Sequence, residues 1–193
     1  MEGTDDATLE LLRRSGEGDE EAFVALYRQF QGGIYRFAWR MTGSREAAED
    51  ATQETFLAVA RGASGYQPAR GPFRAYLFGI ARNVVARRLE RERTFAPLPE
   101  DVAAVSDPAA DLDRRRAIEC VRQAVLALPT HYREVVVLCE LQGLSYEEVA
   151  AAVGCPVGTV RSRLHRARAL LGEKLRPGAA PEWSAVRGAV ETA

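Results

Sequence analysis

The sequence predicts an all-α protein, two small helical domains joined by a flexible acidic linker. Three observations carry this. Apolar residues return at i, i+3, i+4 and i+7 in one segment after another, and the period-two alternation of a strand is missing. Capping residues and helix stops punctuate those segments at helical lengths. Between Ala96 and Pro108 the chain changes character, as Pro97, Pro99 and Pro108 with Glu100, Asp101 and Asp107 replace the arginines that precede them. A chain of 193 residues can form two domains of about 60 to 90 residues, each just able to bury a core. The expected division is a first domain over 1–95, a linker over 96–110, a second domain over 111–176 and a frayed tail over 177–193.

In chain order, Asp19 can cap a long helix that runs through Met41, and Ser44 can cap another from Arg45 to Arg61. The stretch GASGYQPARG, Gly62 to Gly71, is too rich in Gly and Pro to be helical and reads as a loop. Pro72 suits a first helical position, where its missing N–H costs nothing, and starts a helix that reaches about Arg93. In that helix Phe73, Leu77, Ile80 and Val84 make one apolar stripe and Phe78, Ala81 and Val85 a second, so it is gripped on two sides. Phe73 and Phe78 are assigned to the core. Beyond the linker, Asp111 to Leu128 is helical and stops before Pro129. Thr130 can cap a further helix to Gln142, with Gly143 past its end.

The segment LSYEEVAAAVGCPVGTVRSRLHRARALL reads as two short helices joined by a tight turn. Ser145 and Glu148 have the S-x-x-E spacing of a capping box, which satisfies two orphan backbone donors at once. Tyr146, Val149, Ala150 and Val153 form one stripe, and Gly154 supplies the residue best able to take positive φ at the stop. Pro156 suits the first position of the second helix, whose buried stripe is Val157, Val160, Leu164, Ala167 and Leu171. At about 100° per residue, the opposite face presents Gly158, Thr159, Ser162, His165 and Arg166, with Arg161 and Arg163 on the flanks. Arginine can take guanine bidentately, hydroxyls can take a phosphate or a base edge, and small residues let a helix approach the bases. A helix-turn-helix that reads a major groove follows. The plainer alternative is a solvated basic face on an ordinary three-helix core.

Net charge of −1 says nothing by itself about nucleic acid, but its distribution is patterned. Glu2, Asp5, Asp6, Glu10, Glu17, Asp19, Glu20 and Glu21 make the start acidic, whereas Gln31 to Phe95 carries eleven arginines against six acids. Lys174 is the lone lysine, a bias that suits phosphate and base recognition or reflects an arginine-rich coding style. Cys120, Cys139 and Cys155 show no C-x-x-C pairing, so they read as reduced, small apolar residues rather than a disulfide framework or zinc site. His131 and His165 share no metal-binding spacing, and neither metal nor cofactor is expected. No apolar run approaches the ~18 residues of a membrane span, and Met1 to Ser15 lacks the pattern of a signal peptide. A cytoplasmic location is expected.

Two further clusters stand out. Glu49, Asp50, Gln53 and Glu54 gather on one helix, and Asp50 and Glu54 are like charges at i, i+4, a repulsion that a basic partner would answer. Acids near a helix start also suit the macrodipole, which explains Glu49 and Asp50 better than Glu54. The helix after the loop has a basic edge, Arg74, Arg82, Arg87, Arg88 and Arg91, and Tyr66, Phe73 and Tyr76 lie beside the loop. Aromatics next to a charged track are the ingredients for catching an unstacked base.

Four segments, GDEEAFVALYRQF, AAEDATQETFLAVA, FRAYLFGIARN and LPTHYREVVVLCELQGLSYEEVAAAVGCPVGTVRSRLHRAR, follow one another in the order and spacing of a known family. Together they resemble the bacterial extracytoplasmic-function (ECF, group 4) sigma factors of the sigma-70 class, over about residues 9 to 175. The resemblance implies a sigma-2 helical bundle and a sigma-4 helix-turn-helix domain, with no sigma-1.1 or sigma-3 domain between them. It implies that Glu49, Asp50, Gln53 and Glu54 grip the β′ clamp helices of core RNA polymerase, and that sigma-4 meets the β flap. Tyr66, Arg70, Arg74, Tyr76, Asn83 and Arg87 fall where the family captures and melts the minus-10 element. Where the family often carries Trp in an F-x-x-W-L segment, this chain carries Tyr76. Thr159, Arg161, Ser162, Arg163, His165 and Arg166 fall where the family reads the minus-35 element, in agreement with the outward face found from periodicity. An anti-sigma factor is the further partner implied. The expected protein is therefore a non-enzymatic promoter-specificity subunit. Its rivals are a free-standing helix-turn-helix regulator, for which no sensor pocket or spare dimerisation helix is visible, and a small enzyme, for which a nucleophile, phosphate loop and metal set are missing.

Overall fold

The computed structural model describes residues 2–62, 65–95 and 112–175, which are helical with short connections and contain no strand. The expected linker, the expected tail and the centre of the expected loop, 63–64, lie outside the described residues. The first group of helices is α1 (Glu2–Gly16), α2 (Glu20–Thr42), α3 (Arg45–Gly62) and α4 (Phe73–Phe95). The second is α5 (Leu112–Leu126), α6 (Thr130–Val136), α7 (Tyr146–Val153) and α8 (Val157–Lys174).

Most starts and stops follow the capping chemistry of the sequence. The Asp19 carboxylate accepts from the Ala22 N–H at 3.0 Å and opens α2. Gly43, at φ 76°, closes α2 by donating its N–H to the Trp39 carbonyl, a left-handed conformation that glycine adopts at little cost. Ser44 accepts from the Ala47 N–H at 3.2 Å and opens α3.

Four details differ from expectation. Helix α1 was not foreseen, because its start is acidic rather than amphipathic; Leu12 and Thr8 are buried, and Gln29 of α2 donates to the Thr8 hydroxyl at 3.3 Å. Pro129, not Thr130, holds the cap position of α6, and its carbonyl accepts from Tyr132 and Arg133. Pro72 and Pro156 likewise sit just before their helices rather than inside them. The helix expected to continue to Gln142 widens over Val137–Leu141 into a π-helical turn, a local form that periodicity cannot announce.

In the first group α2, α3 and α4 pack around Ile34, Phe37, Ala38, Phe56, Phe73, Leu77 and Phe78, all buried. Both stripes of α4 are used, as the spacing predicts. The Phe37 and Phe78 rings meet edge to face at 5.7 Å, and Phe30 and Phe73 at 5.6 Å, geometries favoured by the ring quadrupoles. In the second group Val135, Val136, Leu138, Val149, Val160, Leu164 and Leu171 are buried. The two sets join in one continuous cluster, because α7 lies against α4 and α5 lies against α2.

Candidate nucleic-acid interface

The second group holds the helix-turn-helix. The Ser145 hydroxyl accepts from the Glu148 N–H at 3.1 Å, while the Glu148 carboxylate accepts from the Ser145 N–H at 2.7 Å. The reciprocal box fixes where α7 starts. Gly154, at φ 71°, stops it, its N–H donating to the Ala150 carbonyl at 2.9 Å. Helix α8 then starts afresh at Val157. Val160, Leu164, Ala167 and Leu171 are buried and pin its inner face, while Val157 is only half-buried.

The outer face is left to solvent. Arg161, Ser162, His165 and Arg166 are exposed, and Thr159 and Arg163 are half-buried on its edges. Ser162 donates to the Thr159 carbonyl at 3.0 Å. The Arg161 guanidinium lies 5.8 Å from the Tyr146 ring centroid, over the preceding helix, a contact that limits its side-chain freedom. A side chain added at Gly158 would meet nothing within 4 Å, so the helix start is open to a large ligand. Behind this face the buried Glu140 carboxylate accepts from Arg168, tying α8 to the π-helical turn. Burial pushes the neighbouring Cys139 thiol up to about 12, which removes it from thiol chemistry at neutral pH. Cys120 is exposed, and Cys139 and Cys155 are half-buried.

On the first group, Tyr66, Phe73 and Tyr76 converge. The Tyr66 ring lies 5.5 Å from each of the other two rings, and its hydroxyl donates to the Gly71 carbonyl at 3.0 Å. The cluster anchors the loop to the start of α4. Tyr66 and Tyr76 are half-buried, so neither ring is fully open to a ligand. Arg70, Asn83 and Arg87 are exposed, and Asn83 accepts from Arg82 at 3.3 Å. Arg74 is instead engaged: it donates to the Gln142 carbonyl of the second group and lies 5.9 Å from the Phe78 ring centroid.

Glu49, Asp50, Gln53 and Glu54 are all exposed on α3. Asp50, however, accepts from Arg88 of α4 at 2.7 Å, so its charge is answered within the chain and the i, i+4 repulsion does not by itself call for a basic partner. Sequence reasoning missed Leu57, 51% exposed on the same face. Its position four residues after Gln53 was the available signal. It also missed the contacts between α4 and the second group, for which no signal in either helix alone exists.

No helix among the described residues is long and apolar enough to cross a membrane. The family described as "Sigma-70 region 2" matches residues 26–95, and "Sigma-70, region 4" matches residues 118–171. The ECF RNA polymerase sigma factor SigE of Mycolicibacterium smegmatis is 42% identical over 170 residues, covering 82% of this chain and 64% of that relative. The ECF RNA polymerase sigma factor SigW of Bacillus subtilis is 30% identical over 178 residues, covering 86% of this chain and 95% of the relative. Among solved structures, the sigma factor RpoE in complex with the anti-sigma factor NepR from Bartonella quintana is similar, with a TM-score of 0.65 and 28% identity. The likeness covers 79% of this chain and 96% of that one. A helical chain that carries both sigma-70 regions in this order belongs to the ECF sigma factors of the sigma-70 family.

Proposed function

We propose that this chain is a promoter-specificity subunit that binds core RNA polymerase and directs promoter recognition, DNA melting and the start of transcription. The observation that carries the reading is the exposed Arg161, Ser162, His165 and Arg166 face of α8, held outward by a buried stripe on a helix set by a complete capping box. Arginine forks and hydroxyls on a rigid helix suit the edges of base pairs in a major groove. The subunit supplies no chemistry of its own; the polymerase does.

In this reading Thr159, Arg161, Ser162, Arg163, His165 and Arg166 read the minus-35 element. Tyr66, Arg70, Arg74, Tyr76, Asn83 and Arg87 hold the minus-10 element. Glu49, Asp50, Gln53 and Glu54, with Leu57 beside them, dock on the β′ clamp helices, and the second domain meets the β flap. The division into 1–95, 96–110, 111–176 and 177–193 belongs to the same proposal. Each domain binds modestly alone, and joining them raises the effective concentration of the second once the first is docked. The relative crystallised with an anti-sigma factor supports an anti-sigma partner for this chain, and work on DNA and polymerase supports a cytoplasmic place.

A gel shift tests this against an independent regulator. With core polymerase present, the chain is expected to retain promoter duplex in a specific complex; without it, no specific shift is expected. Specific retention of duplex by the chain alone would overturn the reading.

A further inference from the structure

We infer that Tyr146 is a positioning residue for promoter recognition, its ring holding the Arg161 guanidinium in the posture that reads a base edge. The inference deepens the proposed function and rests on its minus-35 reading. Arg161 stands on the flank of α8 that faces the start of α7. A flanking arginine has two uses at a duplex. Free to swing, it takes whichever phosphate is nearest, whereas a bidentate contact to guanine needs its planar fork presented in one orientation. The surroundings of Arg161 favour the second use. Its guanidinium lies over the Tyr146 ring at 5.8 Å, and among the described residues it forms no hydrogen bond or ion pair. Contact with a ring face draws on the π electrons and leaves the N–H donors uncommitted. The side chain is thus restrained before DNA arrives, with every donor still open to a base.

The ring is itself held in place. Tyr146 is the first residue of α7, directly after the Ser145 cap whose reciprocal box with Glu148 fixes that end of the helix. Its half-buried side chain packs against the core. Its hydroxyl end lies near Arg168, whose guanidinium donates to the Glu140 carboxylate, and the Glu140 side chain is only 5% exposed. Hydrogen bonding to Glu140 first, and the nearby Tyr146 hydroxyl after it, hold the Arg168 guanidinium above its ordinary value. Arg161 and Arg168 stand two turns apart, roughly 10 Å along the axis of α8. The tyrosine therefore bridges the recognition face to an arginine anchored on a buried carboxylate. Arg163 and Arg166 of the same helix lie over no ring among the described residues, so they serve as internal controls. Ordering a free, rotamer-rich side chain on binding lowers affinity about three- to tenfold, and restraint by the ring removes that loss for Arg161.

The test uses the full chain assembled with core polymerase. Tyr146→Leu removes the ring and keeps an apolar side chain, and Tyr146→Phe keeps the ring and loses the hydroxyl; circular dichroism establishes that both keep their helices. Tyr146→Leu is expected to weaken binding of the preferred promoter about three- to tenfold. It should also flatten preference at the one base position that Arg161→Ala relaxes, with the salt dependence of binding unchanged. Tyr146→Phe is expected to stay within about twofold of the parent. In a double-variant cycle the effect of Tyr146→Leu should vanish once Arg161 is alanine and persist once Arg166 is alanine. A second readout needs no polymerase: in the free parent chain the Arg161 side-chain protons are expected to show an upfield ring-current shift, kept in Tyr146→Phe and lost in Tyr146→Leu. Additive losses at Tyr146 and Arg161, or an equal loss on every sequence, would overturn the positioning role. So would a loss in Tyr146→Phe as large as in Tyr146→Leu, which would mark a direct contact by the hydroxyl. A parent chain without the ring-current shift would overturn it even where Tyr146→Leu fails to fold. Parent holoenzyme with no sequence preference, the shift being present, would contradict the minus-35 reading instead and leave the ring contact standing.

Discussion

Arg88 of α4 donates through Nη1 to Asp50 of α3 at 2.7 Å and through Nε to Glu92 at 3.0 Å. One arginine thus joins the acidic face of the first group to its basic edge, and it divides the acidic residues into two kinds. Asp50 has its counter-charge inside the chain, whereas Glu49 and Glu54 hold no ion pair among the described residues. A basic partner therefore gains most from Glu49 and Glu54.

Charge reversal separates these roles. Glu49→Arg and Glu54→Arg are each expected to weaken capture of core polymerase at least tenfold. The melting temperature should hold steady, since exposed substitutions of this kind change stability by within about 0.5 kcal/mol. Asp50→Asn is expected to do less. Titration of labelled protein with polymerase measures all three, and equal losses at the three positions would contradict the division.

Arg161 and Arg166 are expected to read bases rather than merely to attract phosphate. Replacing either by alanine should cost about 1 to 3 kcal/mol of promoter binding by the holoenzyme and relax preference at one position of the element. A uniform loss on every sequence, with a shallower salt dependence, would instead mark a phosphate contact.

The capping box and the inner stripe of α8 should set the stability of the second group. Ser145→Ala removes one side of the reciprocal bonds and is expected to cost about 1 kcal/mol. Leu164→Ala opens a cavity beneath the recognition face and is expected to cost about 2 to 5 kcal/mol. Urea denaturation followed by circular dichroism checks both.

The fold was legible at most of the helix ends that local chemistry decides, Thr130 being an exception, since Pro129 holds that cap position. Asp19, Ser44, Ser145 and Gly154 act at the ends where their residue types place them, because a cap is a contact among neighbours in sequence. The outward face of α8 was legible for the same reason, being fixed by period alone. What the sequence hid is tertiary. Ala152 lies off the expected stripe of α7 and is buried against Gly79, a fit that neither helix encodes by itself. The partner of Asp50 stands 38 residues away, so the repulsion with Glu54 was visible and its answer was not. The π-helical turn over Val137–Leu141 adds no residue type that periodicity distinguishes from an ordinary helical turn.

Acid should loosen the start of α2. The Ala22 N–H, and after it the Arg14 guanidinium, hold the Asp19 carboxyl below its ordinary value of 3.8. A carboxyl lowered by folding contributes stability that is present above the unfolded-state value and lost as pH falls through the folded one. Melting temperature is therefore expected to fall more steeply with acid in the parent chain than in Asp19→Asn, which can still cap but cannot titrate. Identical slopes below the ordinary carboxylate range would contradict the assignment.

The central claim is that this chain chooses where polymerase begins. Mapping the 5′ ends of transcripts made by purified core polymerase tests it most directly. With the chain added, a defined set of starts absent from core alone is expected, and the set should vanish when Arg161 and Arg166 are both alanine. Starts that are the same with the chain, without it and with the double variant would contradict the account.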